Sequence, residues 1–254
     1  MPEGDTLART ARTLQTWLGG REITAARAQR SDIPTRSIVG TKVEKVDARG
    51  KHLFVRFSSG LVLRTHMKMT GSWHVYPAGE RWRRPASQAR LVLEAGDRVA
   101  VCFNVPVIEL LHERDEQVHP AVANLGPDVL VPPVDIDEVR RRAATRPPAM
   151  PVCELLLDQQ VVCGIGNIWR AESLFACNVD PMLPQSQAPL DELIDAATRL
   201  MSASVAARGA PSPMNVYGRT GRPCRRCRTP IQSRVVGDNP RRLYWCPTCQ
   251  APTQ

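Results

Sequence analysis

The stretch LLLDQQVVCGIGNIWRAESLF, residues 155–175, decides the fold of the second half of the chain. Apolar residues recur at helical spacing in VCELLLDQQ and again in IWRAESLFA, and the glycines of CGIGN interrupt the pattern between them. Two helices joined by a glycine-containing loop are therefore predicted. A glycine loop is a weak signal by itself, so the flanking segments determine what it means.

Helical patterns continue on both sides of this stretch, in DEVRRRAAT and in LDELIDAATRLMSASVAAR. They begin after the proline-rich, acidic segment LGPDVLVPPVDID, which is typical of a domain boundary. Beyond Gly209 the helix-forming residues stop. A helical domain is predicted over residues 126–216.

The first 125 residues have a different pattern. A short amphipathic helix is predicted near the start, with Asp5 as its N-cap, Leu7 and Leu14 on its apolar face, and Gly19 and Gly20 after its end. Alternating segments separated by turns follow, without helix-length crossovers, and predict antiparallel strands in a β-sandwich or barrel: HLFVRF, LVLRTH, SWHVY, ARLVLE and RVAVCF.

Composition restricts the partners and the compartment. Lys and Arg number 34 against 25 Asp and Glu, and the net charge of +9 suits a polyanion such as nucleic acid. No apolar run is long enough to span a bilayer, so no membrane partner is expected. The start, MPEGDTLART, is acidic and lacks the apolar region of an export signal, which favours a cytoplasmic, nucleoid-associated protein.

Four of the eight cysteines form two pairs, with the spacing Cys224-x2-Cys227-x18-Cys246-x2-Cys249. Two such knuckles can bind one structural zinc ion through four thiolates, and four protein ligands leave no open position for catalysis. Redox-active pairs or a chance cluster are the alternatives. Between the pairs, IQSRVV and RRLYW predict a hairpin whose turn is residues 237–240, within a zinc ribbon over residues 217–254.

Pro2 follows the initiator methionine, and a small second residue generally permits removal of Met1. The free secondary amine would titrate nearer to neutral pH than a lysine, and it would form an iminium with a sugar aldehyde carbon. Such an iminium cannot become a neutral imine, so it persists as an electron sink. Taken alone, a proline here means little, and Glu3 could be a first-turn acid favoured by the helix dipole.

Several segments together resemble the formamidopyrimidine-DNA glycosylase and endonuclease VIII family. They are MPEG, ARGKHLFVRF at 48–57, THMKMTGSW at 65–73, LGPDVL at 125–130, residues 155–175, and CRRCRTPI with YWCPTCQ. The resemblance implies an α+β multidomain fold. Its parts would be an N-terminal two-layer β-sandwich with flanking helices, a helix-two-turns-helix domain and a C-terminal zinc ribbon, over residues 1–125, 126–216 and 217–254.

The resemblance also implies catalytic roles. Pro2 would attack the anomeric carbon of the damaged nucleotide, and Glu3 would act as acid and base at the sugar. Lys51 would contact the phosphate of the lesion and assist catalysis, unless it is an exposed strand lysine. Arg241 would hold phosphates and take part in the later elimination.

Three further positions correspond to DNA-binding residues of the family. Asn167 in GIGN would bind phosphate, with Gly164 and Gly166 letting backbone amides approach. His66 is either a phosphate contact or a packed strand-end histidine. Met69 would fill the gap left by a flipped base, and a buried methionine is the alternative.

The implied function is that of a bifunctional DNA glycosylase and AP lyase of base excision repair. It would act as a monomer on damaged double-stranded DNA, with single-stranded DNA left open. The purine branch carries an Arg-Arg-Phe-Gly loop where this chain has FNVPVIELL, and IELL and YWCPTCQ are closer to the endonuclease VIII branch. Oxidised pyrimidines are therefore the favoured substrates, although HMKMTG resembles the purine branch. Thr6 stands where many members have a second glutamate.

Three alternatives remain open at this point. The chain could be an oxidised-purine glycosylase of the same family, or a zinc-finger DNA-binding protein that has lost catalysis. The second alternative predicts loss of Pro2, Glu3 or Lys51, and all three are present. The third is an RNA-binding module, which the similarity of the Met69 loop to a base-flipping loop argues against.

Overall fold

The computed structural model describes residues 2–29, 33–207, 213–237 and 240–251 and divides the chain into two compact units. The first unit contains Pro2 and Thr6–Asn124, and the second contains Glu3–Asp5 and the chain from Leu125 onward. The three residues after Pro2 therefore group with the second half of the chain, far from them in sequence.

The first unit contains most of a helix, two sheets and two short helices. One sheet has the strand order β2-β3-β4-β8 and the other has the order β1-β6-β7-β5, with every neighbouring pair antiparallel. The predicted β-sandwich is therefore confirmed. The elements are α1 (Gly4–Leu18), β1 (Ala25–Ala28), β2 (Val43–Arg49), β3 (His52–Phe57), β4 (Leu61–His66), β5 (Ser72–Pro77), β6 (Ala89–Ala95), β7 (Arg98–Phe103), β8 (Val107–His112), α2 (Glu113–Glu116) and α3 (Pro120–Ala123).

Three of these strands, β1, β2 and β8, lack the alternation that predicted the other five. In β2 the register shifts between Val43 and Lys45, and this irregularity breaks the period of two on which sequence prediction depends. The strands pack around a buried apolar core to which α1 contributes Leu7, Leu14 and Leu18. That apolar face is what orients α1.

The predicted N-cap of α1 is wrong. The helix begins at Gly4, so Asp5 lies inside its first turn, and its end at Leu18 agrees with the prediction. The Asp5 carboxylate is buried and accepts a hydrogen bond of 2.7 Å from the Ser204 hydroxyl. Its role is thus a tertiary contact in the second unit.

The described residues of the second unit form the α-helices α4 (Ile136–Ala143), α5 (Val152–Leu155), α6 (Asn167–Ala176) and α7 (Leu190–Ala206). The helix predicted over VCELLLDQQ is only one turn long. Asp158 accepts a hydrogen bond from its neighbour Gln160 N, and the Gln159 amide donates to the carbonyls of Leu157 and Ile165. These local bonds compete with helical ones and end the helix early.

The predicted hairpin of the last segment is present as β9 (Gln232–Val236) paired antiparallel with β10 (Arg241–Trp245). Asp238 and Asn239, in its predicted turn, lie outside the described residues. The segment packs on α6, since Phe175 shares a small core with Cys224 and Cys246. Among the described residues no helix is long and apolar enough to cross a membrane.

Candidate functional site

Glu3 is anchored at the start of α6. Its side chain is 1% exposed, and its carboxylate accepts hydrogen bonds from the backbone amides of Ile168 at 2.8 Å and Trp169 at 3.3 Å. These amides belong to the first turn of α6, where helical N–H groups lack intrahelical partners. The free N–H groups and the helix dipole stabilise negative charge on Glu3. The carboxylate thus caps α6, and the alternative that Glu3 is an acid in the first turn of its own helix, α1, is wrong.

The glycines of GIGN and MPEG make this anchoring possible. A Cβ atom on Gly166 would lie 2.3 Å from Cδ of Glu3, so only glycine leaves room for the carboxylate. Gly4 donates its backbone N–H to the Gly164 carbonyl at 2.9 Å, and a Cβ on Gly4 would lie 2.9 Å from Cα of Gly164. The two sequence motifs therefore interlock backbone to backbone. The space beside Gly166, where the sequence predicted room for a phosphate, is taken by the carboxylate of Glu3.

Asn167, the first residue of α6, is held at both ends of its carboxamide. Its nitrogen donates to the Arg242 carbonyl at 2.9 Å, and its oxygen accepts from the Arg170 guanidinium at 2.5 Å. Arg170 is 1% exposed, and burial lowers its pKa. The buried guanidinium defines which end of the Asn167 amide is the donor.

The Asn167 bond also links α6 to the hairpin that carries Arg241. Arg241 is exposed, is the first residue of β10 and pairs with Val236 at the end of the hairpin nearest its turn. Its charge acts on the buried Arg170 and helps to lower the pKa of that guanidinium. Asn167 and Arg241, the two residues predicted to contact phosphates, are thus neighbours in the second unit.

Lys51 and His66 lie together in the first unit. Lys51 is half-buried in the two-residue turn between β2 and β3, where Gly50 has φ of 57°, so it is not a strand lysine. His66 ends β4, and its Nδ1 accepts the backbone N–H of Lys68 at 3.1 Å. Burial lowers the pKa of His66 to about 4, helped by Lys68, Arg64 and Lys51. Arg64 is buried and paired with Glu109, so Lys51 and Lys68 are the cations beside this neutral imidazole that make the surface suitable for an anion.

Met69 projects from the turn that follows β4. It is 59% exposed, whereas Met67 is 2% exposed, so the buried-methionine alternative describes Met67 and not Met69. A Cβ on Gly71 would lie 2.6 Å from the Met67 carbonyl oxygen, so glycine is required to close this turn. An exposed apolar side chain on a tight turn suits insertion between bases.

The four paired cysteines converge as predicted. Their sulfur atoms all lie within 4.8 Å of one another, with 3.4 Å between Cys227 and Cys246 and 3.9 Å between Cys224 and Cys249. Thiolates around a tetrahedral zinc with Zn–S of about 2.3 Å lie about 3.8 Å apart. The sulfurs of Cys224 and Cys246 also face backbone N–H groups at 3.4 Å. The donor set therefore fits one tetrahedral metal ion.

Residues 1–106 match the formamidopyrimidine-DNA glycosylase N-terminal domain, and residues 125–213 match the H2TH domain of the same enzyme. A Streptomyces coelicolor protein named probable endonuclease 8 2 is 38% identical over 99% of this chain and 94% of its own length. The chain belongs to the formamidopyrimidine-DNA glycosylase family. Within this family, Escherichia coli endonuclease 8 is 31% identical over 98% of the chain and 100% of its own length.

Another relative is a Mycolicibacterium smegmatis protein named DNA-(apurinic or apyrimidinic site) lyase Nei2, 34% identical over 98% of this chain and 99% of its own length. The fold also matches a Lactococcus lactis glycosylase of the family in complex with DNA containing an abasic site. That match has a TM-score of 0.86 at 20% identity and covers 99% of this chain and 100% of the other. The predicted family, fold and enzyme class, a DNA glycosylase with AP lyase activity, are confirmed.

Two residues near the site escaped sequence analysis. Tyr217 lies near Asn167 and Glu3, and its pKa is raised by burial and then by Tyr244 and Glu3. Glu172 on α6 is buried, and its carboxylate accepts hydrogen bonds at 2.9–3.0 Å from the backbone amides of residues 215–217 and from the Asn215 side chain. A glutamate inside an otherwise apolar helix face was the available signal for this second residue.

Proposed function

We propose that this chain is a bifunctional DNA glycosylase and AP lyase that excises oxidised bases, with pyrimidines favoured, through an iminium on Pro2. The observation that carries the proposal is the buried carboxylate of Glu3, the residue directly after Pro2, which two backbone amides of α6 hold in place. A catalytic carboxyl needs a defined position relative to the reacting sugar. The Glu3 carboxyl has such a defined position because backbone amides of α6 bind both of its oxygens.

The reaction begins at the Pro2 amine once Met1 has been removed. The nitrogen attacks C1′ of the damaged nucleotide, the glycosidic bond breaks, and the base departs with the bonding electrons and a proton. Glu3 transfers protons at the sugar as the ring opens to the iminium. The iminium acidifies the C2′ protons, and loss of one expels the 3′ phosphate by β-elimination. A second elimination releases the 5′ phosphate.

Binding residues hold the DNA backbone during these steps. Lys51 contacts the phosphate of the lesion, and the Nε2–H of neutral His66 donates to a neighbouring phosphate oxygen, since Nδ1 is occupied by the Lys68 amide. Asn167 and Arg241 bind phosphates from the second unit. Met69 enters the base stack in place of the flipped nucleotide.

The preference for oxidised pyrimidines rests on one stretch of the first unit. Residues 103–111 contain the end of β7, a turn and most of β8, which pairs with β4 along its whole length. The arginines and phenylalanine typical of the purine branch are absent from it. The relatives at 30% identity or more named endonuclease 8 agree with this branch.

The four cysteines hold one zinc ion in a structural role. The four sulfurs take every position of a tetrahedron, and such a small ribbon obtains much of its folding free energy from the metal. In this proposal the ion stabilises the base of the hairpin whose far end carries Arg241. It takes no part in the chemistry.

Damaged DNA, double-stranded and in some contexts single-stranded, is the proposed partner of a monomeric enzyme. Because this substrate is chromosomal, we place the protein on the nucleoid in the cytoplasm. We retain three functional parts, residues 1–125 for catalysis, 126–216 for the helix-two-turns-helix motif and 217–254 for the zinc ribbon. The family matches at 1–106 and 125–213 support this division.

The proposal is tested by borohydride trapping on duplexes that contain an abasic site, an oxidised pyrimidine or an oxidised purine. We expect a covalent adduct that maps to Pro2 on the first two duplexes and less on the third. Glu3→Gln should keep DNA binding and lose most base excision, whereas Glu192→Gln, an exposed acid on α7, should trap as the native protein does.

Each result has a defined meaning. Stronger trapping on the purine than on the pyrimidine would overturn the substrate preference and leave the lyase mechanism intact. Intact protein that lacks Met1 and contains zinc, binds DNA and never traps would be the silent DNA-binding alternative. An adduct that maps to a lysine would remove Pro2 from its proposed role.

A further inference from the structure

Several arginines of the first unit form ion pairs with carboxylates. Examples are Arg56 with Glu116, Arg64 with Glu109 and Arg27 with Glu94. Three arginines close together in sequence, Arg81, Arg83 and Arg84, have no such pair within the described part of the chain. They lie in the connection between β5 and β6, residues 78–88, which we name the arginine loop.

The arginine loop crosses the outer face of one sheet. β5 and β6 both run antiparallel to β7, so the chain must return from the Arg98 end of β7 to its Phe103 end. Trp82 fixes this crossing, because its ring lies edge-to-face on Phe103 with 5.8 Å between centroids. The backbone N–H of Arg83 also donates to the Tyr76 hydroxyl at 3.3 Å.

This anchoring holds uncompensated positive charge on the surface. Arg81 and Arg83 are exposed, and Arg84 is half-buried. An open groove of about 660 Å³ is lined by residues 80–86, in which Glu80 is the only acid. Nearby, His74 has its pKa lowered by burial and then by Arg84 and Arg83. A cluster of guanidinium groups without carboxylate partners suits phosphate oxygens.

The arginine loop is coupled to the turn that carries Met69. The Thr70 hydroxyl donates a hydrogen bond of 3.3 Å to the backbone carbonyl of Asn104. The same residue donates its backbone N–H to the Gln88 carbonyl at 2.8 Å and its side-chain amide to the Gln88 side chain at 3.0 Å. The end of the arginine loop and the Met69 turn are therefore joined through one residue, at the same end of the sheet.

We infer that the arginine loop is an additional phosphate-binding surface, which contacts the DNA backbone flanking the lesion. This inference rests on the proposed function, because it places Met69 in the base stack. A duplex entered by Met69 continues past the neighbouring end of the sheet, where Arg81, Arg83 and Arg84 meet its phosphates. The loop reads no base sequence, and it adds affinity that depends on salt and on flank length.

The test measures the salt dependence of binding to duplexes with an uncleavable abasic-site analogue. One duplex extends for several helical turns on both sides of the lesion, and the other ends within half a turn. The variant Arg81→Ala/Arg83→Ala/Arg84→Ala is compared with Arg12→Ala/Arg36→Ala/Arg199→Ala, which removes the same charge from other exposed positions.

On the long duplex, the slope of log affinity against log salt should fall by about 0.9 for each phosphate that the protein no longer neutralises. The loop variant should therefore show a slope smaller by roughly 2 to 3 than that of the native protein. On the short duplex the loop variant should match the native protein. The control variant should keep a slope close to the native one on both. Arg→Lys substitutions at the three loop positions should restore most of the slope, because the charge is kept.

An unchanged slope for the loop variant on the long duplex overturns the inference, and so does an equal reduction in the control variant. If the loop variant does not fold, Arg81→Ala and Arg83→Ala singly are each expected to reduce the slope by about 1. Because the assay needs no cleavage, loss of trapping would count against the proposed function alone. The slope comparison would still decide the role of the arginine loop.

Discussion

The Glu3 carboxylate occupies the space in which any other residue at position 166 would place its Cβ atom. That atom would lie 2.3 Å from Cδ and 2.6 Å from Oε1 of Glu3. The glycine is therefore required by a side chain far from it in sequence rather than by its own backbone conformation, since φ at Gly166 is −124°. Substitution at Gly166 should consequently affect catalysis through Glu3.

We predict that Gly166→Ala reduces single-turnover base excision about 100-fold or more, because the added methyl displaces the carboxyl that moves protons at the sugar. The overlap should also cost about 1–3 kcal/mol of unfolding free energy. Gly126→Ala is the matched control, since its Cβ would lie 2.3 Å from the Val161 carbonyl oxygen and away from Glu3. Equal excision by both folded variants would contradict the prediction.

Arg170 should act as a positioning residue for Asn167. Arg170→Met removes a buried cation, so we expect the unfolding free energy to change by no more than about 1 kcal/mol, because well-packed apolar replacements of buried ions are often neutral. The Asn167 amide then loses the donor that orients it. Affinity for an abasic-site duplex should fall about 10-fold, which corresponds to about 1.4 kcal/mol.

A double-mutant cycle with Asn167→Ala separates this effect from a general loss of charge. If Arg170 acts through Asn167, the two substitutions together should weaken binding little more than Asn167→Ala alone. Fully additive losses would show that Arg170 affects DNA independently. Titration with duplex at fixed salt provides the measurement.

Glu172 is predicted to be a major determinant of stability in the second unit. Glu172→Gln places an amide donor against backbone N–H groups that now donate to a carboxylate. We expect a loss of about 2–4 kcal/mol in urea unfolding, because buried donors are left without an acceptor. Glu192→Gln, on the exposed side of α7, should change the value by less than about 0.5 kcal/mol.

Stability of the first unit should decrease in mild acid. Burial lowers the pKa of His52 to about 3, with His66 and Arg64 adding to the effect, so the folded state resists a proton that the unfolded state binds near pH 6.5. Stability is thus full above about pH 6.5 and is lost as the pH falls toward the folded-state pKa of about 3, by up to about 1.4 kcal/mol per pH unit for one histidine. His52→Gln should flatten this dependence, and His112→Gln at an exposed position is the control.

Removal of the metal should lower the affinity for DNA and leave the β-sandwich of the first unit folded. Chelation, or Cys224→Ser, leaves the ribbon without its tetrahedral centre, and the hairpin carrying Arg241 then loses its support. Elemental analysis should find about one zinc per chain before treatment. Unchanged affinity after complete loss of the metal would contradict the proposed structural role.

The sequence alone determined the regularly patterned elements, their order and the four cysteines that converge. Periods near 3.6 and 2 depend on which face is buried, so α7 and the five regular strands were predictable. Irregular pairing hid β2, and local side-chain bonds shortened α5. The cysteine spacing was sufficient because each knuckle brings its two thiolates together locally.

Only the tertiary structure decided how the site residues are held. Glu3 accepts hydrogen bonds from the backbone amides of Ile168 and Trp169, which are 165 and 166 positions away in sequence. Asn167 is oriented by Arg170, 3 positions away, and by the Arg242 carbonyl, 75 positions away. The longer of these hydrogen bonds have no periodicity to reveal them, because they depend on where folded elements meet. Pattern identifies which residues are candidates, and packing determines what each candidate can donate or accept.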